Sequence, residues 1–267
     1  MGYYQGRALE RRPLRRAGRL RRWLHVAIAL VVLATLAHLP WSQLRRRFAV
    51  VSEVRVEGMH YLDAAHVQAI SGIQRGDDLF RLDLPRARQE LLLDSRVAEA
   101  EVGRRLPRGV RIRIVERVPV LLVDHGVPWE LDSAGVLLAP LAPGVVADVP
   151  RLIGPRLVGE PAGTQLGGPE VDRGLSWARA LEDPELQLAG QVSELDVRDP
   201  QTTAITLLSG TRVLGPAAPP SRRRLSALRV VLADLQHKGT VANEVDLRYE
   251  NQVIVRPVST AEASHSG

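Results

Sequence analysis

Cysteine is absent from all 267 residues, which excludes disulfides, thiol catalysis and cysteine-ligated metals. Aromatic residues make up only 4%, so a folded core must be built mainly from Leu, Val and Ile. No Gly-rich loop precedes a Lys-Ser or Lys-Thr pair, so no phosphate cradle is evident, and there is no HExxH. The seven histidines are scattered; His60 and His66 have no third ligand at metal-binding spacing. Ser71, Ser133 and Ser209 lack the strand-turn-helix context of a serine nucleophile. Asp77-Asp78 beside Gly76 reads as a turn or helix cap rather than an acid or cation site. No catalytic constellation, metal site or cofactor is expected.

The formal charge is +6, but it is unevenly spread. Residues 1–22 hold eight arginines (Arg7, Arg11, Arg12, Arg15, Arg16, Arg19, Arg21 and Arg22) against Glu10, a net +7, so the remaining 245 residues sum to −1. Next comes an uncharged apolar stretch, WLHVAIALVVLATLAHLPW. Taken over residues 23–44 it would rise about 33 Å as a helix, enough for a hydrocarbon core of about 30 Å. Trp23 and Trp41 sit at its two ends, where indoles favour the membrane interface. Eight arginines precede the stretch and three follow, Arg45 to Arg47, so the positive-inside rule puts the amino terminus in the cytoplasm and exports the rest. A cleaved signal peptide is the rival reading, with a long basic region and a weak cleavage site around Ala37.

Beyond the apolar stretch the patterning predicts an α+β protein. A strand is expected over 50–57, with Val50, Ser52, Val54 and Val56 facing inward, then a helix over 63–71 with Asp63 as cap. A second helix is expected over 84–93, with Pro85 in its first turn, and two strands over 97–106 and 110–118 form a hairpin. The order is β-α-α-β-β. Short strands follow over 120–123, 128–131 and 136–138, and the Pro/Gly-rich stretch 140–169 reads as irregular connection. Then come a helix over 170–181, strands over 192–197, 202–208 and 211–214, and a helix over 221–237. Arg222, Arg223 and Arg224 read as a solvated face of that helix rather than a phosphate site. Two last strands are expected over 244–249 and 252–256.

This order resembles the FtsQ (DivIB) family of bacterial cell-division proteins, whose FtsQ-type POTRA module follows a single membrane helix. VRVEG over 54–58, GDDLF over 76–80, LPRGVRIRIVERVP over 106–119, LDSAG over 131–135 and above all VDLRY over 245–249 carry the likeness. It implies a basic cytoplasmic tail over 1–22, a transmembrane helix over 23–44, a POTRA domain over 48–118, a mixed, mainly antiparallel β-domain with flanking helices over 119–257, and a disordered tail over 258–267. It further implies a non-enzymatic divisome protein of the inner membrane, placed at the septum, which binds FtsB-like and FtsL-like division proteins and other divisome components. No nucleic-acid partner is expected, and the bilayer is met through 23–44. The partner surface carried over from the resemblance comprises Arg248, Tyr249, Glu250 and Asn251, with Glu116 beside it at the domain junction. An exposed strand edge suits that role, because a partner can add a strand there. Two other readings compete: a membrane-anchored POTRA protein assisting outer-membrane protein assembly, and an envelope enzyme with an unrecognised site.

Overall fold

The computed structural model describes residues 16–38, 49–240, 242–250 and 252–257. Asn251, the stretch 39–44 of the expected membrane span and the tail over 258–267 lie outside the described residues. The chain forms two compact units, Met1–Val50 and Val51–Gly267.

Helix α1, Arg16–His38, begins within the arginine run and continues unbroken through the apolar stretch. Its window Arg21–His38 has a mean hydropathy of 1.2, and among the described residues it is the one helix long and apolar enough to cross a membrane. Its side chains from Arg21 onward are exposed. The polar side chains of its apolar part, His25, Thr35 and His38, bond to carbonyls one turn back. Thr35 Oγ1 donates to Val31 O at 2.6 Å, and His38 Nδ1 to Ala34 O at 2.9 Å. Such back-bonding suits a medium in which no water can complete a polar group.

The second unit holds two hydrophobic cores. The smaller follows the β-α-α-β-β order: β1 Glu53–Glu57, α2 Ala64–Ser71, α3 Leu84–Leu92, β2 Val97–Arg105 and β3 Gly109–Glu116. The sheet order is β1-β3-β2, with β1 parallel and β2 antiparallel to β3. Val67, Ala87 and Leu91 turn the helices onto Val110, Ile112 and Ile114. Within β1 the expected face holds, with Val54 and Val56 packed on the core and Glu53 and Arg55 exposed, but before the strand it does not, because Val51 is buried and Ser52 exposed. Val51 precedes the ladder and is held by backbone bonds to Gly76 and Asp77 instead. Asp63 occupies the N-cap of α2, yet its side chain makes no cap bond, whereas Asp83 caps α3 by accepting from Arg86 N at 3.0 Å. Gly58 turns the chain after β1 with φ 89°; a Cβ there would meet Ile114 O at 2.0 Å, so no other residue fits.

The larger core lies under a nine-stranded mixed sheet. Its strands are β4 Pro119–Asp124, β5 Pro128–Asp132, β6 Leu137–Leu138, β7 Arg151–Ile153, β8 Val192–Asp196, β9 Thr202–Leu207, β10 Arg212–Pro216, β11 Ala242–Asp246 and β12 Ile254–Pro257. The order is β12-β11-β10-β9-β8-β7-β4-β5-β6. Strand β7 lies inside the stretch expected to be irregular. Its three residues are too few to show a pattern between Pro150 and Gly154, yet it bridges β4 and β8 at mid-sheet. Helices α4 Pro169–Leu181 and α5 Arg222–His237 connect parallel neighbours, α4 from β7 to β8 and α5 from β10 to β11.

Those two crossovers are halves of an internal repeat. RLIG at Arg151–Gly154 leads through α4 to ELDVR at Glu194–Arg198, and RVLG at Arg212–Gly215 leads through α5 to EVDLR at Glu244–Arg248. The strand registers coincide. Arg151 lies opposite Glu194 as Arg212 lies opposite Glu244. Strands β8 and β9 superpose on β11 and β12 at a constant offset of fifty positions, including the bulge after Val192 and after Ala242. Val197 N donates to Ile153 O as Leu247 N donates to Leu214 O. The nine-stranded sheet therefore contains two β-α-β-β units in tandem, β7-α4-β8-β9 and β10-α5-β11-β12.

Two arginines flanking the small sheet, Arg96 just before β2 and Arg117 just after β3, reach carboxylates of β5 in the large one. Arg96 Nη2 donates to Glu130 Oε2 at 2.8 Å and to Ala139 O at 2.6 Å, with both charged side chains nearly excluded from water. The second oxygen of Glu130 accepts from Ala147 N. Arg117 Nη1 meets Asp132 at 2.8 Å. Removing one partner of such a buried pair strands the other charge. Glu130→Ala is expected to lower stability by about 3–5 kcal/mol, read by urea unfolding, while Arg96→Met combined with Glu130→Met recovers most of that loss.

Candidate functional site

The residues expected to bind a partner divide between two places. Glu116 ends β3 in the small sheet, is 7% exposed, and its carboxylate accepts from Tyr61 N at 2.7 Å and Leu62 N at 3.0 Å. That carboxylate anchors the loop after β1, and Glu116 does not share a strand or loop with the other candidates. Arg248, Tyr249 and Glu250 lie together in the connection between β11 and β12.

Strand β11 stops at Asp246, three residues before the expected end. The Asp246 side chain causes the stop. Its Oδ1 accepts from Arg248 N at 2.9 Å and from Arg248 Nε at 3.0 Å, and its Oδ2 accepts from Arg248 Nη2 at 2.7 Å. A carboxylate that takes the backbone N–H two residues on competes with the ladder and turns the chain. Arg248 is thus committed to its own loop, and the alternation of Arg248, Tyr249 and Glu250 expected of a strand is not formed.

The same clamp stands at the equivalent point of the first unit. Asp196 Oδ1 accepts from Arg198 N and Nε at 3.1 and 3.0 Å, and Oδ2 from Nη2 at 2.6 Å. Each loop is also held from its helix. Arg173 of α4 donates to the carbonyls of Val197 and Asp199, and Arg224 of α5 to those of Leu247 and Glu250. Two of the three arginines expected to be a solvated face are therefore engaged, since Arg222 pairs with Asp183 and Glu185, both at 2.6 Å.

Directly after the clamp the first unit carries Asp199 and Pro200, and the second Tyr249 and Glu250. Tyr249 is 55% exposed. An aromatic side chain held outward by a fixed backbone has the build of an interface anchor, because little entropy remains to be lost on contact.

The edges of the nine-stranded sheet complete the site. At one end the outer side of β6 is covered, as Leu137 exchanges backbone bonds with Gly163 and Thr164, and Val136 bridges Gln165. At the other end is β12, which pairs with β11 on one side and has no strand partner on the other among the described residues. Hydrogen bonding from Arg248 holds the Asp246 carboxyl below its ordinary range, against the opposing effect of its burial, and Arg198 does the same for Asp196. Among the described residues no group of His, Asp or Glu is arranged to hold a metal.

Comparison with known proteins agrees with this architecture. Residues 50–117 match the family described as POTRA domain, FtsQ-type. The chain is 26% identical to the cell division protein FtsQ of Geotalea daltonii over 79% of this chain and 77% of that protein. It is 28% identical to the cell division protein FtsQ of an Anaeromyxobacter species over 90% and 83%. It is 29% identical to the cell division protein FtsQ of Rhodothermus marinus over 92% and 91%.

A carboxyl whose folded pKa is depressed contributes stability that is present above the unfolded pKa, about 3.9 for Asp, and lost as pH falls through the folded value. Urea midpoints of wild type and Asp246→Asn should therefore differ at neutral pH and converge as the pH is taken below about 4. A gap that persisted in acid would contradict the clamp.

Proposed function

The chain belongs to the FtsQ family of cell-division proteins, and from that premise we propose that it is a bitopic, non-enzymatic divisome protein of the inner membrane. Helix α1 is its anchor. The arginine excess before the apolar stretch keeps the amino terminus in the cytoplasm, and the unit from Val51 onward is periplasmic. At the septum this unit holds FtsB-like and FtsL-like division proteins.

The observation that carries the reading is the open side of β12 next to the loop of Tyr249. Unpaired backbone groups on such an edge accept a strand from another chain, and alternate side chains then supply selectivity. The internal repeat supports a geometry for that strand. In the first unit the outer side of β9 is covered by β10, antiparallel, with Arg212, Val213 and Leu214 opposite Thr206, Ile205 and Ala204. The matching positions of the second unit are Arg256, Val255 and Ile254. A partner strand takes the place of β10, antiparallel to β12, with Tyr249 packing against its flank. Glu250 supplies a charge beside it, while Arg248 and Glu116 act on the protein's own loops.

The test is a titration of the full chain, held in lipid nanodiscs, with the exported part of the same organism's FtsB-like protein. Tyr249→Ala is expected to weaken binding by at least tenfold, about 1.4 kcal/mol. Equal binding by both proteins would remove Tyr249 from the site, and absence of binding by the wild type would refute the scaffold reading.

A further inference from the structure

Three segments of the small sheet's domain meet where the chain enters it. Val51 N donates to Asp77 O at 2.9 Å and Val51 O accepts from Gly76 N at 2.9 Å. Ser52 donates to Arg108 O through both its N–H, at 2.8 Å, and its hydroxyl, at 3.1 Å. Arg104 ties the end of β2 to the same place, with Nε donating to Leu79 O at 2.7 Å and Nη2 to Leu82 O at 3.0 Å. The turn between β2 and β3 and the loop between α2 and α3 are thereby fixed beside Val51.

Each of these turns presents an apolar side chain to solvent. Phe80 is 59% exposed and Leu106 is 69% exposed. Phe80 is one of only two phenylalanines in the chain, and in so aromatic-poor a sequence its exposure at a turn is not explained by the core. Arg75, Arg81, Arg104 and Arg105 lie in or beside these turns along the chain and are exposed, Arg108 is half-buried, and Arg81 Nε stands 4.0 Å from Asp78. The neighbouring acids Asp77, Asp78 and Asp83 have carboxylates occupied by backbone N–H groups of Gln74, Phe80 and Arg86. Glu53 at the start of β1 is the remaining acid at this end.

Only twelve residues, 39–50, lie between the apolar helix and this end of the domain, a reach of roughly 40 Å when fully extended. We propose that this end of the small sheet is a membrane-contact surface, with Phe80 and Leu106 entering the interfacial region of the bilayer and the arginines meeting lipid phosphates. Aromatic and aliphatic side chains on a loop gain by burial at that depth, and guanidinium groups pair well with phosphate. A tether this short keeps the local lipid concentration high, so weak contacts suffice. The inference rests on reading α1 as a membrane anchor.

The chain's lack of cysteine allows a clean test. An environment-sensitive fluorophore is placed on full-length Gln74→Cys, with Gln201→Cys in a turn of the large sheet as reference, in vesicles containing headgroup-labelled quenching lipid. The expected result is a blue shift and quenching at position 74 but not at 201, both lost when Phe80→Ser and Leu106→Ser are combined. Greater quenching in vesicles with an anionic lipid fraction than in zwitterionic ones assigns a share to the arginines; equal quenching in both would remove the arginines from the contact. Equal solvent exposure at 74 and 201 in both vesicle types, in protein that still co-floats with lipid, overturns the contact while leaving the anchor intact. Failure to co-float would overturn the anchor and this inference together.

Discussion

An open β-sheet must end somewhere, and each end leaves a row of backbone donors and acceptors to be dealt with. That constraint organises the large domain. At the β6 end the chain folds its own residues 163–165 over the two-residue strand. At the other end the sheet grows by repetition. Each β-α-β-β unit adds a parallel crossover and a hairpin, and the hairpin of one unit becomes the platform for the next. The first platform, β9, is covered by β10. The second, β12, has no successor among the described residues. Among the described residues the outer side of β12 thus corresponds to the side of β9 that β10 covers in the first unit.

The charged residues that look most functional are largely spent on holding this frame. Asp196 with Arg198, and Asp246 with Arg248, stop two strands at equivalent points; Arg173 and Arg224 fasten the loops that follow. Glu116 pins a loop of the small domain, and Arg96 with Glu130 spans the two cores. Buried or bidentate arginine–carboxylate pairs impose geometry because the planar fork accepts few arrangements. Tyr249 beside the sheet edge, and Phe80 and Leu106 at the end of the small sheet, are among the large apolar side chains left facing solvent.

Much of this was legible in the sequence where the pattern was long. The apolar helix, the β-α-α-β-β order and the two amphipathic crossover helices follow from periodicity and turn residues. Strand β7 was not legible, because three residues between proline and glycine carry no period, and its partners β4 and β8 lie far away in sequence. The end of β11 was misplaced because VDLRY reads as continuous alternation unless the Asp246 carboxylate is seen to take the Arg248 N–H. The repeat left a clear signal, RLIG with ELDVR against RVLG with EVDLR, which a comparison of the chain with itself would have found. The helices between those motifs obscure it. α4 carries Val171, Gly174 and Ala178 where α5 carries Leu225, Leu228 and Leu232, so only the spacing is shared.

The most direct test of the account is hydrogen–deuterium exchange of the full chain with and without the FtsB-like protein of the same organism, its proposed partner. Strand addition at the sheet edge predicts that the partner slows exchange of the amides of Ile254, Val255 and Arg256, with smaller changes in the loop of Tyr249 and little change in β1, β2 and β3. Unaltered exchange at β12 with protection confined to the small sheet would contradict it and place the partner elsewhere.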